Sequence, residues 1–279
     1  MKENIRTFDF KPLPIDIELK DLSFVKELPK LLGKAHKANF YQLIWITEGK
    51  ADFYIDFRKI TIRTNDFLII SAGQVCEFDT KSDYSGKMIL FTSSFFTVNE
   101  LDSNFLFTSE ILNPINLNKT VSINSDFMRN IILLLNNELR EITDNFQIGI
   151  AQSYLRIILL EAERQLSKSY PPITNNLARR FFNSVEQNFK EEHNAEFYIK
   201  LLNVNEKQLS KEVKFFTGKT PKLYIDSRII LEAMRLLSYS NLSVKEIGFE
   251  LGFDEATNFN KYFRKHTGIS PGKLRVKDL

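Results

Sequence analysis

The stretch Leu209-x3-Val213-x2-Phe216-Thr217-Gly218-Lys219-Thr220-Pro221 is written again fifty residues later, as Phe259-x3-Phe263-x2-His266-Thr267-Gly268-Ile269-Ser270-Pro271. In each copy two apolar residues four apart share one helical face. Thr-Gly then ends the helix, since glycine enters the left-handed conformation of a helix C-terminus without a Cβ penalty. Thr220-Pro221 and Ser270-Pro271 start new helices, with a hydroxyl at the N-cap and proline at the first helical position. A repeat of this kind predicts two similar helical units.

Each copy has a shorter helix upstream. In the second, Ser243-Val244-Lys245-Glu246 is a capping box, and Ile247, Phe249 and Leu251 give an apolar side. Gly252 permits a sharp turn, Asp254 is the expected cap, and the helix bearing Phe259 and Phe263 begins. Helix, tight turn, helix is the helix-turn-helix pattern. The first copy runs from an Asn194 cap through Phe197, Ile199, Leu201 and Leu202, turns near Asn203-Val204 and restarts at Asn205, without a turn glycine. Between the copies, Pro221 to Leu237 is apolar at helical spacing and predicts a joining helix of about 25 Å.

Residues 243–253 (SVKEIGFELGF), Asn258-Phe259-Asn260-Lys261-Tyr262-Phe263-Arg264-Lys265 and Thr267-Gly268-Ile269-Ser270-Pro271 together resemble the signature of AraC/XylS-type transcriptional regulators. The resemblance covers about a hundred C-terminal residues. It implies two helix-turn-helix units whose second helices enter successive major grooves on one face of DNA. With the apolar residues facing inward, Lys207, Gln208, Ser210, Lys211 and Lys214 share the outer arc of the first unit. Thr257, Asn258, Asn260, Lys261 and Arg264 share that of the second. Amides and hydroxyls pair with base edges, and Lys or Arg reaches guanine or phosphate. Lys207, Gln208, Ser210, Lys211, Thr257, Asn258 and Lys261 are assigned to base reading, and Lys214, Arg264 and Lys265 to the phosphate backbone. Two positions depart from the family pattern. Glu212 stands where an apolar residue is usual, and Phe215-Phe216 replaces a polar pair, so that one ring is expected to be exposed or to pack on the first domain. The first unit is therefore expected to bind more weakly or to discriminate less than the second.

A chain of 279 residues has room for two domains, and 26% charged with 43% hydrophobic residues describes a soluble globular protein. The longest aliphatic runs, Ile131–Leu135 and Ile157–Leu160, are too short to cross a bilayer, and MKENIRTFDF has no apolar signal core. The single cysteine, Cys76, has no partner for an internal disulfide and is expected to be a small core residue in a reducing cytoplasm. From Leu177 onward there are 18 Lys and Arg against 13 Asp and Glu, a net +5, whereas the preceding residues carry a net −2. The C-terminal part is thus the candidate partner of a polyanion.

Residues 1 to about 30, with Pro12, Pro14 and Pro29, read as an arm across the first domain. Short β-branched and aromatic runs follow at Phe40–Thr47, Ala51–Phe57, Lys59–Ile62, Phe67–Ser71 and Lys87–Thr92, with turns at Glu48-Gly49-Lys50 and Thr64-Asn65-Asp66. They predict a small barrel or sandwich. The string Phe40-Tyr41-x4-Ile46-Thr47-Glu48-Gly49, then 65–70 (NDFLII)-x2-Gly73-Gln74-Val75, is similar to the cupin-like effector domain common in the same family. A metal-bearing cupin presents paired histidines at its first motif and another later. Here His36 matches one position, Ala38 stands at the second and Cys76 at the later one, so neither metal nor other cofactor is expected. Two helices are expected at Asp126 to Ile142 and Phe146 to Lys168. Ile131, Leu134, Leu135 and Leu139 form the stripe of the first, and Ile150, Tyr154, Ile157, Ile158 and Glu161 mark the second. They either mediate dimerisation, as the resemblance implies, or cover one side of the barrel.

The expected architecture is α+β. Residues 1–166 form a cupin-like effector and dimerisation domain (barrel about 30–118, helices about 124–166), 167–176 a linker, and 177–279 an all-α DNA-binding domain of two helix-turn-helix units joined by a long helix. The expected function is that of a sequence-specific DNA-binding transcriptional regulator, an activator, controlled by a small molecule in the barrel. Its expected partners are operator DNA, RNA polymerase, a small-molecule effector and a second copy of itself, with no membrane. The alternatives are an effector-independent regulator whose N-domain only dimerises, and a cupin-type enzyme with a DNA-binding tail.

Overall fold

In a computed structural model of the chain, the described residues are 6–277 apart from 12, 14, 28–32, 80, 98–101, 103–104, 107–108, 114–119, 141–143 and 170–175. They divide into two compact units, Arg6–Pro172 and Ile173–Leu279.

The first unit is a curled, half-barrel sheet flanked by helices. Its strands are β1 (Arg6–Phe8), β2 (Ile17–Asp21), β3 (His36–Ala38), β4 (Tyr41–Ile55), β5 (Arg58–Arg63), β6 (Asp66–Ile70), β7 (Val75–Glu77), β8 (Tyr84–Phe91) and β9 (Thr120–Ser122), with short helices α1 (Ser23–Lys26) and α2 (Ser93–Phe96). The spine is β4. It pairs antiparallel with β8 along Tyr41–Gly49, with β6 along Gln42–Trp45 and with β5 along Lys50–Ile55. The turn expected at Glu48-Gly49-Lys50 is therefore replaced by one continuous strand, with a bulge just before it at Thr47. Gly49 makes this possible: its φ is +85°, and a Cβ there would lie 2.3 Å from the Asp83 carbonyl. The expected N-terminal arm contributes two strands, β1 parallel to β3 and β2 antiparallel to β8.

Strand alternation builds two cores from the same strands. Leu43, Trp45, Phe67, Ile69, Ile89 and Phe91 point toward helices α3 (Ser125–Arg140) and α4 (Gln147–Ser169). Ile44, Ile46, Leu68, Ile70, Met88 and Leu90 fill the inside of the curl. Burial on both faces explains why these strands read as apolar runs instead of a clean alternation.

The buried stripe of α3 is Met128, Ile131, Ile132 and Leu135. Leu134, expected in it, is exposed, because at 100° per residue it falls outside the arc that meets the sheet. On α4, Ile158 is buried, whereas Ile150 and Ile157 are exposed. That helix runs to Ser169, so residues 167–169 of the expected linker are helical, and 170–175 lie outside the described residues.

The second unit is all helical: α5 (Asn176–Asn188), α6 (Ala195–Leu202), α7 (Glu206–Thr217), α8 (Pro221–Tyr239), α9 (Val244–Glu250), α10 (Ala256–Thr267) and α11 (Pro271–Lys277). The central α8 packs on helices of both repeats. Its nineteen residues span about 28 Å. Phe181, Tyr198, Leu209, Val213, Ile225, Ile229, Phe259 and Phe263 are among the fully buried side chains.

Candidate nucleic-acid interface and barrel cavity

The fifty-residue repeat holds at the level of single atoms. Gly218 and Gly268 end α7 and α10 with φ of 69° and 76°, donating to the carbonyls of Lys214 and Arg264. The hydroxyls of Thr217 and Thr267 donate to the carbonyls of Val213 and Phe263, at 2.7 and 2.8 Å. Each hydroxyl also accepts from the second residue on, Lys219 or Ile269. Burial repeats as well: Leu209 and Val213 match Phe259 and Phe263, all four fully buried.

The upstream turns differ. Asn203 is left-handed at φ 53°, the place a glycine was missing, since asparagine tolerates that region better than other side chains. Gly252 serves the other unit at φ +74°, where a Cβ would lie 2.0 Å from the Lys190 carbonyl. Asn205 caps α7 through a bond from the Gln208 N–H. The cap of α10 is Glu255, not Asp254, and Glu255 makes no side-chain cap bond. Ser243 and Glu246 form the full capping box.

Lys207, Gln208, Lys211 and Lys214 on α7 are exposed, as are Thr257, Asn258, Lys261, Arg264 and Lys265 on α10. Ser210 and Asn260 are half-buried, and the Asn260 amide donates to the Ala256 carbonyl of its own helix at 2.8 Å. Each repeat therefore turns a polar, basic arc outward. Glu212 is half-buried beside these residues. Phe215, the counterpart of Lys265, is 71% exposed, with the Phe216 ring edge-on to it at 4.9 Å.

Two buried ionic clusters, unrecognised in the sequence, tie α8 to α5 and to α10. Arg228 donates from Nε to Glu186 on α5 at 2.9 Å and from a terminal nitrogen to Glu232 at 3.0 Å, and it stacks on Phe189 at 3.8 Å. Arg235 also donates to Glu232. Asp226 accepts from Lys222 at 2.5 Å and from the Tyr262 hydroxyl at 2.7 Å, tying α8 to α10. Burial, then that carboxylate, raises the Tyr262 pKa, so the phenol keeps its proton and donates. The signal in the sequence was the spacing of Arg228, Glu232 and Arg235 along one helix face.

Within the first unit the curl forms a cavity of about 250 Å³, lined mostly by apolar side chains together with His36, Gln42, Asp9, Lys11 and Glu18. Strand pairing sets His36 opposite Cys76, with Nε2 and Sγ 3.1 Å apart. His36 is 3% exposed and thus a buried cavity-edge residue. Burial holds the Cys76 thiol up at about 12. One imidazole and one protonated thiol fall short of the three or four ligands a metal requires, and they do not fit one.

A family model described as a helix-turn-helix domain matches residues 198–277, and one described as an AraC-like ligand binding domain matches residues 33–139. The HTH-type transcriptional activator RhaS of Salmonella schwarzengrund is 31% identical over 104 residues, 37% of each chain. RhaS of Enterobacter sp. is 29% identical over 91 residues, 33% of each. The aligned part thus spans little more than a third of these relatives' length. Among solved structures, ToxT from Vibrio cholerae aligns over 93% of this chain and 97% of its own, with 14% identity and a TM-score of 0.44. With its helical repeat and its half-barrel each matched by the corresponding model, the chain belongs to the AraC family.

Proposed function

We propose that the protein is a sequence-specific DNA-binding transcriptional regulator, that it activates transcription by engaging RNA polymerase, and that a small molecule in the N-terminal cavity controls it. The observation carrying this reading is the pair of outward basic arcs on α7 and α10, repeated at a fifty-residue interval. Lys207, Gln208, Ser210, Lys211, Thr257, Asn258 and Lys261 would read bases, and Lys214, Arg264 and Lys265 would hold phosphates. The Asn260 amide is occupied by its own helix, which leaves its carbonyl oxygen for an exocyclic amine. Activation is favoured by the name of the RhaS relatives.

The protein would act as a homodimer in the cytoplasm. Leu133, Leu134, Ile157 and Leu160 on α3 and α4 are each more than 40% exposed, an apolar surface suited to a second copy. No helix among the described residues is long and apolar enough to cross a membrane. Effector control would be a shift in how the two DNA-reading units are presented. Mapping of bound genomic DNA tests the reading: a shared sequence motif, with neighbouring transcription lost on deletion of the gene, is expected. Uniform binding regardless of sequence would refute it.

A further inference from the structure

The protons around the cavity floor can be placed by chemistry. His36 Nδ1 lies 3.1 Å from the Lys34 carbonyl, which can only accept, so Nδ1 carries the N–H. Burial lowers the His36 pKa, so the ring is neutral and Nε2 is bare. Cys76, protonated, must then donate its S–H to Nε2. Its sulfur accepts in turn from Gln42 Nε2, at 3.9 Å. The run Gln42 to Cys76 to His36 to Lys34 fixes every donor in one direction. It leaves Gln42 Oε1 without a partner among the described residues, on a side chain 4% exposed that lines the cavity.

The rest of the wall is mostly apolar. Phe8, Phe10, Phe40 and Phe78 present rings, with Phe8 edge-on to His36 at 5.7 Å and Phe10 edge-on to Phe40 at 5.5 Å. Met88 and Leu90 close the sheet side. The lining charges are Asp9, Lys11 and Glu18, of both signs; Lys11 is solvent-exposed, and Asp9 is occupied by the Asn39 amide at 2.6 Å. A carboxylate taken to the floor would therefore meet a carbonyl oxygen, not a cation.

We propose that this cavity takes a neutral, largely apolar molecule of about two fused rings, carrying one hydroxyl or N–H that donates to Gln42 Oε1. The size follows from volume, since an apolar cavity of about 150 Å³ already admits benzene. The inference rests on the reading of the N-terminal unit as ligand-binding, and it adds the ligand's chemistry.

Titration calorimetry on the full chain with indole, its donor-free isostere benzofuran, and indole-2-carboxylate tests it. Indole is expected to bind about tenfold more tightly than benzofuran, the worth of one buried hydrogen bond. Gln42→Leu is expected to abolish that difference by weakening indole alone. Equal binding of indole and benzofuran to the unaltered protein would overturn the proposal, and this comparison stands even if Gln42→Leu does not fold. Tightest binding by the carboxylate, lost in Lys11→Ala, would also overturn it, as would no binding by any of the three. If indole discriminates as expected but saturating indole leaves DNA affinity unchanged, the ligand chemistry stands and effector control of DNA binding fails.

Discussion

His36 and Cys76, forty positions apart in the chain, meet because β3 and β7 pair, and burial rather than a neighbouring charge governs both. Burial depresses the folded-state pKa of His36 below its ordinary 6.5. Between the two values the unfolded chain binds more protons, so this contribution to stability is complete above about pH 6.5 and is lost as pH falls through 6.5 toward the folded value. Calorimetry between pH 7.5 and 5.5 should show the unfolding temperature of the N-terminal unit dropping with acid, and dropping less in His36→Gln. His193 in the other unit is also depressed by burial, which is why the comparison with the variant isolates His36. Gly252 makes a second residue-scale case. Its φ is +74°, and a methyl at this position would stand 2.0 Å from the Lys190 carbonyl. Gly252→Ala should therefore destabilise the C-terminal unit by at least about 2 kcal/mol in denaturant unfolding.

At the scale of elements, the capping box at Ser243 was legible because its four residues are adjacent and its chemistry is local. Ser243→Ala should cost about 1 kcal/mol, read from the same denaturation curves. The α8 network was visible only as a spacing, since its other half, Glu186 and Phe189, comes from a distant part of the chain. Glu232 is the shared acceptor of two buried guanidiniums, so Glu232→Ala takes a buried carboxylate from both and should cost about 3 kcal/mol or more. A loss near zero would mean that Glu186 alone holds Arg228. The middle of β4 was misread as a turn for a related reason. Glu-Gly-Lys is good turn sequence, and only pairing with β8 on one side and β5 on the other keeps the strand continuous.

For the molecule as a whole, DNA affinity is expected to fall with salt in proportion to the phosphates neutralised. Lys214→Ala and Arg264→Ala lie at equivalent places in the two repeats. As phosphate contacts, each should lower the logarithmic salt slope by about 1, measured by anisotropy on operator DNA. An unchanged slope for Lys214→Ala alone would mean that the first unit, with Phe215 where the second has Lys265, does not press on the backbone. The sequence by itself determined the helical repeat, its glycine ends, its capping box and most of its outward residues, because helix periodicity and capping act over three or four neighbours. The tertiary structure alone decided which strand faces share the cavity, that His36, Cys76 and Gln42 form one run of hydrogen bonds, and which carboxylates hold the arginines of α8. Those contacts join positions tens of residues apart, and the free energy that brings them together comes from burial of surface that no local pattern records.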